Sequence, residues 1–287
     1  MQVFTQRADV RAFAADARRA GRRIGFVPTM GALHDGHLEL VRRAVAACDV
    51  VVASIFVNPR QFNNPSDLAA YPRVPEQDAE LLRAAGCHAL FLPDAAEMYP
   101  TPPVTTLSFG PLEAVLEGAH RPGHFAGVGL VVSKLLHLVA PHTAWFGQKD
   151  LQQVAVVRAL VRDLDFDVAL EVAPTVREPD GLAMSSRNRR LTAAERAVAP
   201  TLHRALATAR AALLRGATVA DAQAAGAAVL SAEPAFAPEY FEVVDAHTLQ
   251  VADRAAGLPP TETAIVAAAH LGAVRLIDNV VLPAALA

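Results

Sequence analysis

Val27-Pro-Thr-Met-Gly-Ala-Leu-His-Asp-Gly-His37 joins an apolar run, Ile24–Val27, to a periodic segment with Leu38, Val41 and Val45 on one face. A buried strand, a turn of small residues and an amphipathic helix account for that pattern. His34 and His37 stand at i and i+3 where the helix begins. Backbone N–H groups at a helix start lack partners and the helix dipole is positive there, so phosphates bind readily. Two imidazoles beside that end can hydrogen-bond a polyphosphate and offset the charge that grows during transfer. Gly31 and Gly36 let the backbone approach a ligand closely. Taken alone, a His-x-x-His pair also describes a surface turn. Its place between strand and helix favours a nucleotide.

Two further segments carry related chemistry. Thr143-Ala-Trp-Phe146 reads as a short strand, Gly147-Gln-Lys-Asp150 as a turn, and Leu151 to Leu164 as a helix. Lys149 supplies a point charge suited to phosphate, and Asp150 a helix cap. A capped helix with a solvated lysine fits the same residues. Gly181-Leu-Ala-Met-Ser-Ser-Arg-Asn188 ends in two hydroxyls, a guanidinium and an amide. Such a loop can wrap a triphosphate, with Arg187 binding as a fork. By itself it is read more simply as a polar loop that caps the next helix.

Strand patterns recur at Ile24–Val27, Val50–Val57, Ala89–Leu92, Thr143–Phe146 and Val168–Val172. Helical patterns cover Arg7–Ala20, Leu38–Ala47, Pro75–Ala85, Phe125–Val139 and Leu151–Leu164. Near-continuous apolar strands separated by helices predict an α/β fold, a Rossmann-like doubly wound parallel sheet covered on both faces. Ligands in such sheets bind beyond the strand carboxyl ends. His34, Asn58 and Gly147 each follow a strand and so converge on one edge. Beyond Arg187 the texture changes. Alanine-rich helical segments run from Thr192 to Leu214 and from Val219 to Leu230. Tyr240–Ala246, Ala264–Ala269 and Val274–Leu282 then read as a small antiparallel sheet. The boundary is placed near Pro174, dividing a Rossmann-like domain (1–175) from a smaller α+β C-terminal domain (176–287).

At 287 residues, with 53% hydrophobic and 19% charged residues, the chain can bury a substantial core and is not disordered. A net charge of -3 offers no basic surface to nucleic acid or anionic membrane. Cys48 and Cys87 are too few and too far apart for a disulfide framework or a zinc site, which suits a reducing compartment. Cys48 follows Val41 and Val45 at helical spacing and reads as packing. Met1 to Ala20 holds Arg7, Asp9, Arg11 and Asp16 and does not read as a signal peptide. The apolar stretch Phe125–Ala140 is broken by Lys134 and His137 and does not read as a membrane span. A cytoplasmic enzyme with neither nucleic-acid nor membrane partner is expected. With no Gly-x-x-x-x-Gly-Lys-Ser/Thr sequence, a P-loop kinase is disfavoured.

His34-Asp-Gly-His37 resembles the His-x-Gly-His signature of nucleotidyltransferases related to class I aminoacyl-tRNA synthetases. Met184-Ser-Ser-Arg187 resembles a shortened form of their mobile second signature loop. With Phe26–His37, Phe56-Val-Asn-Pro-Arg-Gln-Phe62, Arg121-Pro-Gly-His-Phe125 and Gly147-Gln-Lys-Asp-Leu-Gln-Gln153, these stretches resemble, as an ordered set, the pantothenate synthetase (pantoate–β-alanine ligase) family. The resemblance implies that pantoate attacks the α-phosphorus of ATP to give pantoyl adenylate and pyrophosphate. β-Alanine then displaces AMP to give pantothenate, the coenzyme A precursor. It implies ATP contacts at Met30, Gly31, Ala32, Leu33, His34, Asp35, Gly36 and His37. Further contacts fall at Gly147, Gln148, Lys149 and Asp150, at Val176, and at Met184, Ser185, Ser186 and Arg187. His37 would bind the bridging or leaving phosphate oxygen and donate a proton, and His34 would support the β- and γ-phosphates. Lys149, Ser185, Ser186 and Arg187 would hold the phosphates as charge moves to pyrophosphate. The glycine turn, Asp150 and the backbone near Val176 would seat ribose and adenine. Domain closure would carry the Met184–Arg187 loop onto ATP.

By residue type alone, Gln61 and Gln153 are structural amides. The resemblance makes Gln61 a contact of pantoate and β-alanine, and Gln153, at i+4 from Lys149, a contact of pantoate. Asn58 leaves the second strand in the same substrate region, and Met30 would wall the gem-dimethyl group. Arg121 either orders that side of the pocket or is a surface arginine. Magnesium is also implied, since ATP chemistry ordinarily needs it. Where the family carries adjacent acidic residues this chain reads Glu76-Gln-Asp78, which leaves Asp78 as the metal ligand. First-turn helix carboxylates after Pro75 give the same pattern. A homodimer through the N-terminal domain is implied, and a mean hydropathy of +0.26 is compatible with an apolar contact patch. Another transferase of the superfamily, cytidylyl- or adenylyl-, would share His34 and His37 without Gln61 and Gln153. A non-catalytic nucleotide sensor need not keep His37 with Lys149 and Arg187.

Overall fold

The structure, a computed structural model, describes residues 1–257 and 262–282. Six parallel strands form the first sheet: β1 (Gln2–Phe4), β2 (Ile24–Thr29), β3 (Val50–Ile55), β4 (Ala89–Phe91), β5 (Thr143–Gly147) and β6 (Ala169–Ala173). Their order is β1-β4-β3-β2-β5-β6. From β2 the chain winds outward through β3 and β4, then returns to the other side of β2 for β5 and β6. That reversal is a topological switch point, and open α/β sheets take ligands at the strand carboxyl ends there. β2 pairs β3 along its whole length, from Ile24↔Val50 to Thr29↔Ile55. It pairs β5 only at Gly25↔Thr143 and Phe26↔Ala144, so the two strands part toward their carboxyl ends. Gly25 permits the close approach lower down, because a Cβ there would lie 2.9 Å from Trp145 Cζ3.

β3 is buried at every position, as its run of Val50-Val-Val-Ala-Ser-Ile55 demands of a strand covered on both faces. Val27, Leu33, Val41, Val51, Leu82 and Leu90 meet in one core cluster. Helices Arg7–Arg19, Asp35–Ala47, Pro75–Ala84, His124–Val139 and Leu151–Asp163 connect the strands, close to their predicted limits. β1 carries no usable pattern of its own, since its three residues are mostly exposed and are fixed by pairing with β4. Helices Pro65–Ala69, Ala95–Met98 and Leu116–His120 are likewise too short to show a period. Both thiols are free. Burial pushes Cys87 up to about 11 and Cys48 upward, which suits packing rather than reactivity.

The smaller sheet is antiparallel, β7 (Phe236–Asp245), β8 (Thr263–Leu271) and β9 (Val274–Leu282), in that order. Helices Thr201–Leu214 and Val219–Ser231 supply Leu202, Leu206 and Leu230 to a core shared with Val243, Ile265 and Leu276. The single helical segment expected from Thr192 to Leu214 is in fact two helices, Ala193–Val198 and Thr201–Leu214. Pro200 separates them, because it has no N–H to continue the ladder and its ring crowds the preceding turn. The chain clusters into two compact units, Met1–Gly147 with Val156–Pro174, and Gln148–Ala155 with Thr175–Ala287. Among the described residues, no helix is long and apolar enough to cross a membrane.

Candidate active site

In the first unit, Met30–Leu33 leads from the end of β2 to the histidines. Thr29 Oγ1 donates to the Ser54 carbonyl at 2.7 Å and accepts from Gly31 N at 3.2 Å. Gly31 and Ala32 both take left-handed conformations, with φ of 81° and 50°. A Cβ on Gly31 would lie 2.9 Å from both Asp78 Oδ2 and Ile55 Cγ2, so glycine is required. For Ala32 the left-handed region costs about 1 kcal/mol. The strain is held by Asp78, whose Oδ2 accepts from Ala32 N and whose Oδ1 accepts from Leu33 N, both at 2.8 Å. Successive N–H groups in such a turn form an anion-binding concavity. Here the anion is internal.

This geometry corrects the expectation of a magnesium ligand at Asp78. The carboxylate is 1% exposed and both its oxygens are engaged by backbone amides, while Glu76 and Gln77 are exposed. No group of three or more His, Cys, Asp or Glu side chains among the described residues could hold a metal. These residues do not fit a protein-held magnesium ion. No sequence signal joins Asp78 to a turn 45 residues earlier.

His34 is the N-cap of helix Asp35–Ala47, and its Nδ1 accepts from Gly36 N at 3.2 Å. Nδ1 therefore bears no proton, and a neutral ring carries its proton on Nε2. The His34 and His37 rings lie 4.1 Å apart between centroids. The helix starts three residues before the predicted Leu38, because an imidazole cap is not among the usual N-cap signals.

β3 leads into the turn Pro59–Gln61, and three neighbours fix it. Asn58 is 1% exposed; its Nδ2 donates to Gln61 Oε1 and to the Gly127 carbonyl, both at 3.1 Å. Tyr99 donates its hydroxyl to Asn58 Oδ1 at 3.0 Å. Gln61 Nε2 lies 3.1 Å from Met30 Sδ, so the expected substrate residues Met30, Asn58 and Gln61 meet. His124 Nδ1 contacts the Gln61 carbonyl at 2.8 Å, and Arg121 Nη1 lies 3.3 Å from His124 Nε2. Arg121 therefore lies against His124 on this side of the turn. Tyr99 carried no signal, whereas His124 stands inside the Arg121–Phe125 motif.

In the second unit, Gln148–Asp150 forms a 3-10 turn and Lys149 Nζ lies 3.9 Å from Asp150 Oδ1. Gln153, on the helix that follows, is half-buried. Arg177 and Ala183 pair as an isolated antiparallel bridge, and Met184 N donates to the Val176 carbonyl at 3.0 Å, which brings Val176 beside Met184. Ser185 caps the short helix Ser186–Arg190 by accepting from Arg187 N at 3.3 Å. Ser186 is buried. The turn and the loop each present backbone and cationic groups suited to phosphate.

The doubly wound sheet thus carries the His34-Asp-Gly-His37 helix start at its switch point, where open α/β sheets bind ligands. The pantoate-β-alanine ligase family model matches residues 2–281. Pantothenate synthetase of Cytophaga hutchinsonii is 48% identical over 283 residues, 98% of this chain and 99% of that protein. That of Cereibacter sphaeroides (strain ATCC 17029) is 51% identical over 276 residues, 95% and 96% of the two chains. The crystal structure of pantothenate synthetase from Thermus thermophilus superposes with a TM-score of 0.92 at 44% identity, covering 98% of this chain and 99% of that one. The pantoate-β-alanine ligase from Francisella tularensis, complexed with β,γ-ATP and β-alanine, gives 0.80 at 32% identity, covering 98% and 97%. The chain belongs to the pantoate–β-alanine ligase family.

Proposed function

We propose that this protein makes pantothenate from pantoate, β-alanine and ATP, with pantoyl adenylate as the enzyme-bound intermediate. The observation that carries this reading is the pairing, at one switch point, of the capped His34–His37 helix start with a Gln61 fixed beside Met30. In the first step a pantoate carboxylate oxygen attacks the α-phosphorus, and the bond to the bridging oxygen breaks to release pyrophosphate. In the second, the β-alanine amine attacks the acyl carbon, loses a proton and expels AMP.

Both nucleophile and phosphates are anionic, so the protein's task is positioning and neutralisation. His37 binds the bridging oxygen and protonates the leaving pyrophosphate, while His34 Nε2–H donates to the β- and γ-phosphates. Lys149, Ser185, Ser186 and Arg187 take up charge as it moves onto pyrophosphate. Backbone from Met30 to Gly36, the Gly147–Asp150 turn and Val176 seat the nucleotide. Gln61 and Gln153 hold the pantoate oxygens without competing charge, Gln61 also meeting β-alanine. Met30 walls the apolar methyls, with Asn58 and Arg121 acting through Gln61 and His124. Any magnesium would be carried by the ATP phosphates and would neutralise their charge, since Asp78 is engaged by the backbone of Ala32 and Leu33. The protein works in the cytoplasm as a homodimer through the first unit; a monomer by light scattering at micromolar concentration would remove the dimer.

ATP–pyrophosphate exchange tests the chemistry. It should require pantoate, proceed without β-alanine, and give way to AMP and pantothenate when β-alanine is added. Exchange that needs β-alanine and ignores pantoate would overturn the order of steps or the substrate. A sensor would show neither exchange nor AMP.

A further inference from the structure

β9 contains two adjacent buried polar residues, Asp278 and Asn279, each 3% exposed, where alternation along a strand would bury only one. Buried polar groups need partners, and these two have an unusual set. Arg177 grips Asp278 in a fork, Nη1 to Oδ2 at 2.6 Å and Nη2 to Oδ1 at 2.9 Å. The same guanidinium donates to the Gly181 carbonyl at 3.1 Å and to the Asn279 carbonyl at 3.0 Å. Asn279 N donates to Asp278 Oδ1 at 2.7 Å. The Asn279 amide then spends both its hydrogens on the backbone of the 3-10 turn, donating to the carbonyls of Gln148 and Lys149 at 2.9 Å each.

We infer that Arg177, Asp278 and Asn279 are positioning residues, a single network that fixes the Gln148–Asp150 turn and the Arg177–Arg187 hairpin and loop to one strand. Both anchored segments are those assigned above to the ATP phosphates, so the inference rests on that reading and deepens it. The chemistry divides by residue. Asn279 is the member that touches Gln148 and Lys149 directly, through their carbonyls, so it holds the turn without engaging the Lys149 ammonium. Arg177 closes the base of the hairpin: it pairs across to Ala183, and its guanidinium holds the Gly181 turn two residues before. Asp278 supplies the charge that balances the partly buried guanidinium and also orients the Asn279 backbone. A lysine at 177 would keep the charge but not the planar fork that serves four acceptors at once.

Asn279→Ala and Arg177→Lys, made in the full-length protein, separate this role from simple stability. Amide hydrogen exchange read by mass spectrometry should quicken in Asn279→Ala chiefly over 148–150. In Arg177→Lys it should quicken chiefly over 181–187. Pantoate-dependent ATP–pyrophosphate exchange should fall about a hundredfold in Asn279→Ala, the scale expected when a binding segment shifts by about 1 Å. β7 and β8 amides should exchange at the wild-type rate in both variants. Uniformly faster exchange across β7, β8 and β9, or wild-type turnover despite a loosened turn, would overturn the proposal. A wild-type protein that makes no pyrophosphate exchange would overturn the ligase reading instead, while the segment-specific amide pattern still reports on the network.

Discussion

At the scale of single residues, chemistry and scaffolding fall to different side chains. His37 sits in the third position of its helix, half-exposed, and adds little to the core. His37→Ala should slow adenylation about a hundredfold or more, as removal of one preorganised donor does, with the fold intact. Near-normal pyrophosphate release from that variant would refute the role. On the proposed roles, Gln61→Ala and Gln153→Ala should each leave a substrate oxygen unpaired, a loss of about 1–3 kcal/mol. Steady-state kinetics should show the pantoate KM rising far more than the ATP KM. Asp78→Asn sets an NH2 group against one of two backbone N–H donors. It should lower Tm by several degrees and slow adenylation together, with the magnesium requirement unchanged. A variant of ordinary stability that needs more magnesium would restore Asp78 as a ligand.

Among elements, the instructive contact is helix His124–Val139 against the Pro59–Gln61 turn. A Cβ on Gly127 would lie 2.3 Å from the Arg60 carbonyl oxygen, an approach that something must relieve. Gly→Ala inside a helix ordinarily stabilises by about 1 kcal/mol. Here the sign should reverse. Gly127→Ala should lower Tm and raise the pantoate KM, because the Asn58–Gly127 bond that holds Gln61 cannot survive the shift. Thermal melts beside pantoate titrations check both, and a stabilised variant with unchanged kinetics would contradict the packing argument. Elements of ten or more residues announced themselves by their period, and β2 to β6 by short apolar runs. β1 did not, because an exposed three-residue strand exists only through its neighbour β4.

Across the molecule, three imidazoles act as acid sensors of stability. Desolvation lowers the pKa of His88, helped by the charge of Arg22, and that of His142, helped by Arg18 and Arg23. Burial, with Arg177, does the same to His203 against the pull of Asp278. His142 Nδ1 accepts from Ile24 N and His88 Nδ1 from Val51 N, so each bond requires an unprotonated nitrogen where a central strand begins or runs. Because their folded pKa values lie below the ordinary one, the unfolded chain takes up protons first as pH falls. Stability should be full above about pH 6.5 and decline below it toward the lowered values. Tm measured from pH 7.5 to 5 should fall over that window and flatten in part in His142→Gln. A Tm that is level or rises on acidification would contradict the assignment.

By itself the sequence determined the fold class and where the segments proposed above to handle ligand fall along the chain, since both are written locally. Apolar runs mark strands, a 3.6-residue period marks helices, and His34-Asp-Gly-His37, Gly147–Asp150 and Met184–Arg187 are contiguous stretches at element ends. Only the tertiary structure decided what Asp78, Asn58, Asp278 and Asn279 do. Asp78 has the composition of a helix first turn, yet its partners are Ala32 and Leu33; Asn279 reaches Lys149 across 130 residues. The physical reason is that a hydrogen bond between distant residues leaves no periodic trace. The same carboxylate can face water, a metal or a buried amide, and the choice is made by whichever backbone the packed core brings within about 3 Å.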